Sequence, residues 1–379
     1  MQNELKLLRE QIDKTDNEIV KLFWQRMELS KQVGLYKKKN GLPVLNANRE
    51  NEILDDIEQK CGSYGSYART LYADIMALSR ALQYNLTAKE TPLRGILSNA
   101  QTQNALADVK KTALQGLKGA NSHAAALKMF PQSEYVFFSS FADVFDAVKN
   151  DDKIEIGIMP VENSTAGAVV DVYDLILKHR FYIVGAANIK IEHCLCGVAG
   201  ATLEGINKVL SHPQALAQCK SFINANGLNP EPCSNTAVAA KTVAENNDKA
   251  VAAICSAAAA NEYGLAILKT GIQSYDSNTT RFIAISKKLI IPQDAKTISL
   301  CFRLPHTTGA LYNILGRFAA AGLNLTKIES RPIPGEDFEY LFYLDFAGNV
   351  KKGETIDLIC ALQTELPEFS FLGNYALEG

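Results

Sequence analysis

The sequence has no long apolar run, no excess of charge of one sign and no grouped metal ligands. Its longest apolar stretches, such as 250–260, are short and rich in alanine, so no segment is predicted to span a bilayer. The net charge of −2 gives no electrostatic reason to expect nucleic acid or an anionic membrane surface as a partner. The charged, amphipathic N-terminus lacks the apolar core of a secretory signal, which predicts a cytoplasmic protein.

The cysteine and glycine patterns argue against two further kinds of site. Among 8 cysteines, only Cys194 and Cys196 form a close pair, and only His193 stands beside them. This set does not complete a metal site, so the cysteines are predicted to be buried and reduced. Gly116 and Gly119 have the spacing G-x-x-G, whereas a dinucleotide fingerprint needs G-x-G-x-x-G. We therefore expect no metal and no redox cofactor.

Three regions of different pattern divide the 379 residues. Apolar residues recur every three or four positions in the first ninety residues, strands and helices alternate from residue 112, and a βαββαβ order follows Pro292. The predicted fold class is multidomain, with an all-α region of three helices, an α/β region of two lobes and an α+β ferredoxin-like region. The expected boundaries are 1–90, a polar linker at 91–111, 112–290 and 296–376.

The N-terminal helices, predicted at 4–38, 47–61 and 66–86, turn polar groups towards their apolar faces. Arg26 lies in the apolar seam of the first helix, where a cation must meet an anion or lose its hydration at high cost. The other polar residues on or beside the core side are Arg9, Lys37, Arg49, Glu50, Ser79 and Gln83. Such a set, without a nucleophile, suits a dianionic ligand and a rearranging bond; the alternative is a salt-bridge network around Glu50.

The length of the first helix indicates a partner. At 1.5 Å rise per residue it forms a rod about 50 Å long, which is too long for a compact domain of ninety residues. A second chain is therefore expected to cover part of it. Asn46 follows the break at Pro43 and can cap the second helix.

This helical segment resembles the all-helical chorismate mutase domain, in which two protomers interlock. The resemblance implies that Arg9 reaches into the partner's active site, and that Arg26, Lys37 and Arg49 bind the carboxylates and the ether oxygen. Glu50 and Gln83 would approach the reacting region, with Ser79 beside them. Asn46 stands where many relatives carry an aspartate that contacts the substrate hydroxyl, and an amide can also hydrogen-bond a hydroxyl.

Polar clusters stand at three strand ends of the α/β region, where open sheets bind ligands. One follows strand 154–159 and includes Glu162 and Asn163; a second, at the end of strand 208–211, includes Ser211, His212 and Gln218. The third, Thr280 and Arg281, begins strand 282–286. The alternatives are helix capping and local hydroxyl–backbone hydrogen bonds, and His212 suits a turn as well as a general base.

In this order the clusters resemble prephenate dehydratase over about 112–288. The resemblance implies two lobes like those of periplasmic binding proteins, with a cleft where prephenate loses carbon dioxide and its ring hydroxyl to give phenylpyruvate. Thr280 would be the essential hydroxyl, acting as an oriented hydrogen-bond donor, and Arg281 would orient the strand end or bind a carboxylate. Other matching cleft residues are Glu162, Asn163, Ser211 and Gln218. Asn121 departs from the tyrosine that relatives usually carry.

The C-terminal region resembles an ACT regulatory domain. Gly309 precedes a predicted helix, where backbone N–H groups can hold a carboxylate, although such a glycine also suits an ordinary tight turn. Two segments match those that respond to phenylalanine: Gly309, Ala310 and Leu311, and Glu329, Ser330, Arg331 and Pro332. The resemblance implies feedback inhibition by phenylalanine bound between paired domains.

Together the regions identify the chain as a member of the bifunctional chorismate mutase–prephenate dehydratases. The expected ligands are chorismate, prephenate and, as effector, phenylalanine, and the expected assembly is a homodimer or a higher homo-oligomer. A fusion of the mutase with prephenate dehydrogenase would need the nicotinamide fingerprint. A catalytically silent small-molecule sensor is the alternative of another class, and the presence of Thr280 and Arg26 argues against it.

Overall fold

A computed structural model describes residues 2–87, 91–100, 106, 108–274, 277–333, 336, 339–366 and 368–378. It divides into two compact units. The first contains 1–99 and 300–370, and the second contains 100–299 and 371–379. In the part of the chain that the structure describes, no helix is both long and apolar enough to cross a bilayer.

The N-terminal region is helical, as the apolar periodicity predicts. Its helices are α1 (Gln2–Asn40), α2 (Ala47–Lys60), α3 (Gly65–Thr87) and α4 (Pro92–Ser98), with a 3-10 turn at Gly62–Tyr64. The Asn46 side chain caps α2 by accepting from Arg49 N, as predicted. Gly34 lets α1 approach α3 closely, since a Cβ at this position would lie 2.9 Å from the Gln83 side chain.

The apolar side chains of α1 are largely exposed in a single chain. Val20 is 66% exposed and Trp24 is 65% exposed, and Leu8, Ile12 and Leu29 are each more than half exposed. So many exposed large apolar side chains on one helix are uncommon on a monomer.

Beyond the linker, alternating strands and helices build a large mixed sheet. Its elements are β1 (Lys111–Gln115), α5 (Asn121–Met129), β2 (Glu134–Phe138), α6 (Phe141–Asn150), β3 (Ile156–Asn163), β4 (Gly167–Ala168), α7 (Val170–His179), β5 (Tyr182–Lys190), β11 (Thr279–Ser286) and β16 (Leu377–Glu378). The strand order is β16-β5-β11-β3-β1-β2, and β4 pairs with β3. The central strand β11 runs antiparallel to both neighbours, which brings Thr280 opposite Asn163.

A second sheet forms the smaller lobe. Its elements are β6 (Cys194–Gly197), β7 (Lys208–Ser211), α8 (Pro213–Gln218), α9 (Lys220–Ala225), β8 (Asn229–Pro232), α10 (Thr236–Asn246), β9 (Val251–Cys255), α11 (Ala257–Glu262) and β10 (Ala266–Lys269), with a 3-10 turn at Leu203–Gly205. The strand order is β10-β6-β9-β7-β8. Cys194 and Cys196 are buried in its core as free thiols, where burial raises the pKa of Cys194 to about 11.

The sequence pattern of residues 214–225 predicts a single helix, whereas the structure has two helices there. The chain leaves helical geometry at Cys219, where φ is −102° and ψ is 11°, so α8 ends and α9 begins on either side of this residue. The fully buried Cys219 side chain packs with Ile223 and Leu228 in the core of the small lobe. The local sequence contains no glycine or proline at the break, so periodicity alone could not predict it.

The C-terminal region has the βαββαβ order predicted from the sequence. Its elements are β12 (Thr297–Arg303), α12 (Ala310–Ala320), β13 (Leu325–Pro332), β14 (Tyr340–Ala347), α13 (Gly353–Glu365) and β15 (Ser370–Tyr375), and the strand order is β13-β14-β12-β15. Past Ser370 the chain belongs to the second unit, where β16 pairs with β5. Gly373 permits this close passage, since a Cβ there would lie 2.1 Å from Ile183 O.

Within the first unit, helix α3 packs against α12 and α13. The Tyr312 hydroxyl donates to Asp74 Oδ2 at 3.1 Å. Arg317, only 6% exposed, pairs with Glu365, which supplies the counter-charge that a buried guanidinium needs. Residues of the helical and C-terminal regions therefore share one packed unit although some two hundred residues separate them in the sequence.

Candidate active sites

A cavity of about 370 Å³ lies between the two lobes of the second unit. Its lining combines apolar residues with polar side chains, and none of its described residues is an acid, a lysine or an arginine. The polar side chains are Gln115, Asn121, Ser122, Asn163, His193, His212, Gln214, Gln218, Asn235, Thr236, Asn278 and Thr280. Burial lowers the pKa of both His193 and His212, which favours their neutral forms.

Thr280 stands at the start of β11 and is 9% exposed. Its Oγ1 accepts a hydrogen bond from Asn163 Nδ2 at 2.8 Å. Asn163 ends β3, and antiparallel pairing puts the two residues in register. Two polar clusters separated by more than one hundred residues thus meet in the cleft, as the strand-end pattern predicts.

Four side chains close a ring of hydrogen bonds beside Thr280; we call it the amide ring, and it consists of Asn163, Asn278, Gln218 and Thr165. Asn163 Nδ2 donates to Asn278 Oδ1 at 2.8 Å, and Asn278 Nδ2 donates to Gln218 Oε1 at 3.1 Å. Gln218 Nε2 donates to Thr165 Oγ1 at 2.9 Å, and Thr165 Oγ1 donates to Asn163 Oδ1 at 2.7 Å. Every member therefore donates to one neighbour and accepts from the other.

Several residues implicated by the sequence do not line this cavity. The Arg281 guanidinium lies 3.4 Å from the Glu162 carboxylate, and both side chains are about one-third exposed. Ser211 is fully buried and donates to Ile254 O at 2.6 Å. In this structure the arginine faces a carboxylate of its own chain, and the serine hydroxyl holds the small sheet together.

The cavity also contains residues to which sequence reasoning gave no role or only a structural one. Asn235 caps α10 by accepting from Val238 N, and it lines the cavity as well. His193 has no strand-end motif around it, and Asn278 was part of the polar approach to Thr280 without a role of its own. Each of these three residues stands directly before a helix or a strand. That position by itself equally indicates a cap or a turn.

In the helical region, the structure brings Arg26 to Ser79. Arg26 Nη1 donates to Ser79 Oγ at 2.7 Å, and Ser79 Oγ in turn donates to Ile75 O at 2.8 Å. Gln83 lies one turn further along α3 and is 7% exposed. Within the described residues, its Oε1 has no hydrogen-bond partner. A buried amide oxygen without a partner is costly, and a ligand hydroxyl could satisfy it.

The remaining helical candidates have partners within the chain or lie in solvent. Glu50 pairs with Arg80, a cation absent from the sequence-based set. Lys37 Nζ donates to Val44 O at 2.6 Å, and Arg49 lies 3.1 Å from Glu52 on an exposed surface. Arg9 is exposed on α1. One ion pair around Glu50 therefore exists, but none of the ion pairs between described residues involves Arg9, Arg26 or Lys37.

In the C-terminal region, a cavity of about 370 Å³ adjoins the start of α12 and includes Ala310 and Leu311 in its lining. Gly309 caps this helix with φ of 80°, a left-handed conformation that favours glycine. Residues Glu329, Ser330, Arg331 and Pro332 lie on β13, outside that lining. Strand β13 forms the edge of its sheet in the described structure.

The fold and the cleft define a two-lobed α/β protein with a small-molecule site between its lobes, preceded by a helical region. The family model for chorismate mutase type II matches residues 8–84, and that for prephenate dehydratase matches 112–289. The bifunctional chorismate mutase/prephenate dehydratase of Aquifex aeolicus is 32% identical over 98% of both chains. The chain belongs to the family of bifunctional chorismate mutase–prephenate dehydratases.

Other relatives cover the part of the chain after the helices. Arogenate dehydratase 1 of Petunia hybrida is 37% identical over 71% of this chain and 67% of its own. A solved structure of prephenate dehydratase from Arthrobacter aurescens, in complex with L-Phe, is 28% identical, covers 70% of this chain and 89% of its own, and has a TM-score of 0.64. The comparisons confirm the predicted helical region and the α/β dehydratase region, and with them both enzyme activities.

Proposed function

We propose that Thr280 is the hydrogen-bond donor to the ring hydroxyl of prephenate. In the dehydratase step, the bond between the ring and its carboxylate breaks to release carbon dioxide. The electron pair moves through the ring, and the carbon–oxygen bond breaks so that the hydroxyl, taking up one proton, leaves as water. Developing charge on that oxygen needs a donor, and aromatisation supplies the driving force.

The observation that carries this proposal is the hydrogen bond from Asn163 to Thr280. Because Oγ1 accepts from Asn163 Nδ2 at 2.8 Å, the hydroxyl hydrogen of Thr280 is not needed for that contact. Its high pKa makes threonine a weak acid, so an oriented hydrogen bond suits it better than full proton transfer. Neutral amides of the cavity and His212 would bind the substrate carboxylates through hydrogen bonds, with Asn163 and Gln218 among the amides.

The experiment compares Thr280→Val with Thr280→Ser. Valine keeps the shape and removes the hydroxyl, so phenylpyruvate formation should fall by about a hundredfold or more, whereas serine should retain most of it. Chorismate turnover by the same samples serves as the internal control and should be unchanged. Phenylpyruvate formation at the parent rate by Thr280→Val would refute the role of Thr280, and loss of both activities would point to misfolding.

The helical region is proposed to hold chorismate between α1, α2 and α3. Arg26 and Lys37 supply cations, Glu50 and Gln83 approach the reacting bonds, and Ser79 fixes Arg26. Arg49 and Asn46 contribute at the start of α2. Arg9 belongs to the partner's site, because 17 residues of straight helix separate it from Arg26 by about 25 Å. A homodimer or a higher homo-oligomer follows from this spacing and from the exposed apolar face of α1.

The C-terminal region is proposed to be a ferredoxin-like ACT domain that binds phenylalanine and slows the dehydratase. The relative from Arthrobacter aurescens was solved in complex with L-Phe, and the βαββαβ order of this chain fits such a domain. Gly309, Ala310 and Leu311 would contact the ligand at the start of α12. Glu329, Ser330, Arg331 and Pro332, on an edge strand, would contact it from a paired domain. Domain boundaries at 1–90, 112–290 and 296–376 remain part of this proposal.

A further inference from the structure

The amide of Asn163 has a fixed orientation. Its Oδ1 accepts from the backbone N–H groups of Thr165 and Ala166, both at 3.0 Å. A backbone N–H can only donate, so the atom facing these two groups must be the oxygen. The Asn163 NH₂ group therefore faces the opposite way, towards Asn278 and Thr280.

The fixed Asn163 amide makes Thr280 Oγ1 a hydrogen-bond acceptor on the side that faces Asn163. Nδ2 of Asn163 lies 2.8 Å from Thr280 Oγ1 and can only donate to it. The single hydroxyl hydrogen of Thr280 must then point elsewhere. Because Thr280 lines the cavity, the cleft is open to this hydrogen.

The fixed amide of Asn163 sets the direction of the rest of the amide ring and, through it, the tautomer of His193. Asn278 accepts from Asn163 with Oδ1, so its NH₂ group faces Gln218 Oε1. His193 Nε2 lies 2.9 Å from this oxygen, which can only accept, so Nε2 carries the proton. Backbone hydrogen bonds of His193 hold this residue in place beside Gln218. His193 N donates to Gln273 Oε1 at 3.0 Å, and His193 O accepts from Ile272 N at 3.1 Å.

The fixed Asn163 amide leaves one orientation for Asn278 and Gln218. If Asn278 turned over, its NH₂ would face that of Asn163. If Gln218 turned over, its NH₂ group would face the NH₂ of Asn278. Each reversal puts donors against donors, and both asparagines are buried, where an unpaired polar group costs about 1–3 kcal/mol.

We infer that His193 and Asn278 are positioning residues for the dehydratase. Asn278 takes up one N–H of Asn163 and leaves the other for Thr280, and His193 holds Gln218 on the far side of Asn278, so that the Thr280 hydrogen is presented to the leaving hydroxyl of prephenate. Neither residue needs to touch the substrate for this purpose. The inference rests on the proposed role of Thr280.

The ring also joins the two lobes of the second unit. Asn163, Thr165 and Thr280 belong to the large sheet and its β3–β4 turn, whereas Gln218 ends α8 of the small lobe. The amide ring beside Thr280 is therefore closed only while Gln218 remains in contact with Thr165 and Asn278. The positioning role of His193 depends on the N–H group at Nε2. Substitutions that keep or remove this donor can therefore distinguish positioning from simple core packing.

The test is a matched pair at residue 193. His193→Leu removes the donor, and His193→Gln restores an N–H group near the place of Nε2. We expect His193→Leu to lower kcat for phenylpyruvate formation by about tenfold to a hundredfold, since misorientation of a reacting group costs this much, with KM within about twofold. His193→Gln should recover kcat to within about threefold of the parent. Asn278→Leu, which breaks the amide ring at its middle, should resemble His193→Leu.

Each result has a definite reading. A folded His193→Leu chain with parental kcat overturns the inference, as does a His193→Gln chain that loses as much activity as His193→Leu. A rise in KM at constant kcat would mean that the residues bind substrate instead of positioning Thr280. If His193→Leu unfolds, as judged by circular dichroism, His193→Gln and Asn278→Leu decide the outcome. Loss of activity in Thr280→Val together with full activity in His193→Leu would refute the positioning role alone.

Discussion

At the scale of single residues, Asn46 combines a structural contact with a proposed chemical one. Its Oδ1 accepts from Arg49 N at 3.2 Å and so caps α2, while its amide is proposed to contact the substrate hydroxyl. The two roles use the same short side chain at the start of one helix. Substitutions can separate them, because aspartate retains the cap acceptor and alanine does not.

We predict that Asn46→Ala lowers the free energy of unfolding of the helical region by about 1 kcal/mol and also lowers mutase kcat/KM. Asn46→Asp should retain the stability, because a carboxylate at a helix N-terminus also favours the helix dipole, and should keep or raise mutase activity. Denaturant unfolding followed by circular dichroism measures the first effect, and chorismate disappearance measures the second. Equal kcat/KM for the two variants would exclude a substrate contact by Asn46.

Electrostatic reasoning from the sequence missed one charged partner in the helical region. The buried-cation argument selected Arg26, whose guanidinium donates to the Ser79 hydroxyl and not to an anion in the described part of the chain. The same argument could not identify Arg80 as the partner of Glu50, because a helix position near the edge of an apolar face suits either core or solvent. A pairing between residues of different helices depends on how those helices cross.

At the scale of elements, the start of α12 can serve either as an ordinary tight turn or as the proposed phenylalanine-binding site. Gly309 has φ of 80°, and a Cβ at this position would meet no atom within 4 Å. A larger residue is thus penalised by the backbone conformation and not by crowding. Gly316 lies within α12, and a Cβ there would also meet nothing within 4 Å, which makes it a matched control on the same helix.

We predict that phenylalanine gives a measurable heat of binding and slows the dehydratase, and that Gly309→Val weakens its binding by about tenfold, equivalent to about 1.4 kcal/mol. Gly316→Ala should bind phenylalanine as the parent does, because alanine favours a helix interior. Titration calorimetry and inhibition of phenylpyruvate formation are the two measurements. Absence of heat and of inhibition in the parent would leave this region a structural element, and equal weakening by both substitutions would argue against a local role for Gly309.

Element boundaries were predicted well where periodicity and caps agree. Helix α1 was expected at 4–38 and spans Gln2–Asn40, and strand β7 was expected at the residues it occupies, Lys208–Ser211. The single helix expected at 214–225 was wrong, because a buried Cys219 and its core neighbours interrupt it without a local breaker residue. Tertiary packing decided that boundary.

At the scale of the whole molecule, the arrangement of catalytic parts over two chains can be tested by complementation. If Arg9 serves the partner's mutase site, an Arg9→Ala chain and an Arg26→Ala chain should each be inactive alone. Their heterodimer contains one site with both mutations and one site with neither. The second site takes Arg26 from the first chain and Arg9 from the other, as a two-fold arrangement requires.

We predict that mixing the two inactive chains, with exchange of protomers, restores mutase activity to about one quarter of the parent value, because half of the dimers are mixed and each carries one intact site. The dehydratase activity of every sample is the control for protein concentration. Sedimentation measures the oligomeric state. No recovery from a mixture that demonstrably exchanges protomers would show that Arg9 acts within its own chain or not at all.

The sequence by itself determined the helical and α/β regions, the βαββαβ order of the C-terminal region and the strand ends that carry Asn163 and Thr280. These features follow from local periodicity and from motifs within a few residues. Only the tertiary structure decided that Arg281 faces Glu162, that Ser211 is a core residue and that His193 joins the cleft. It also fixed the direction of the amide ring, because that direction depends on donors and acceptors brought together from segments more than fifty residues apart.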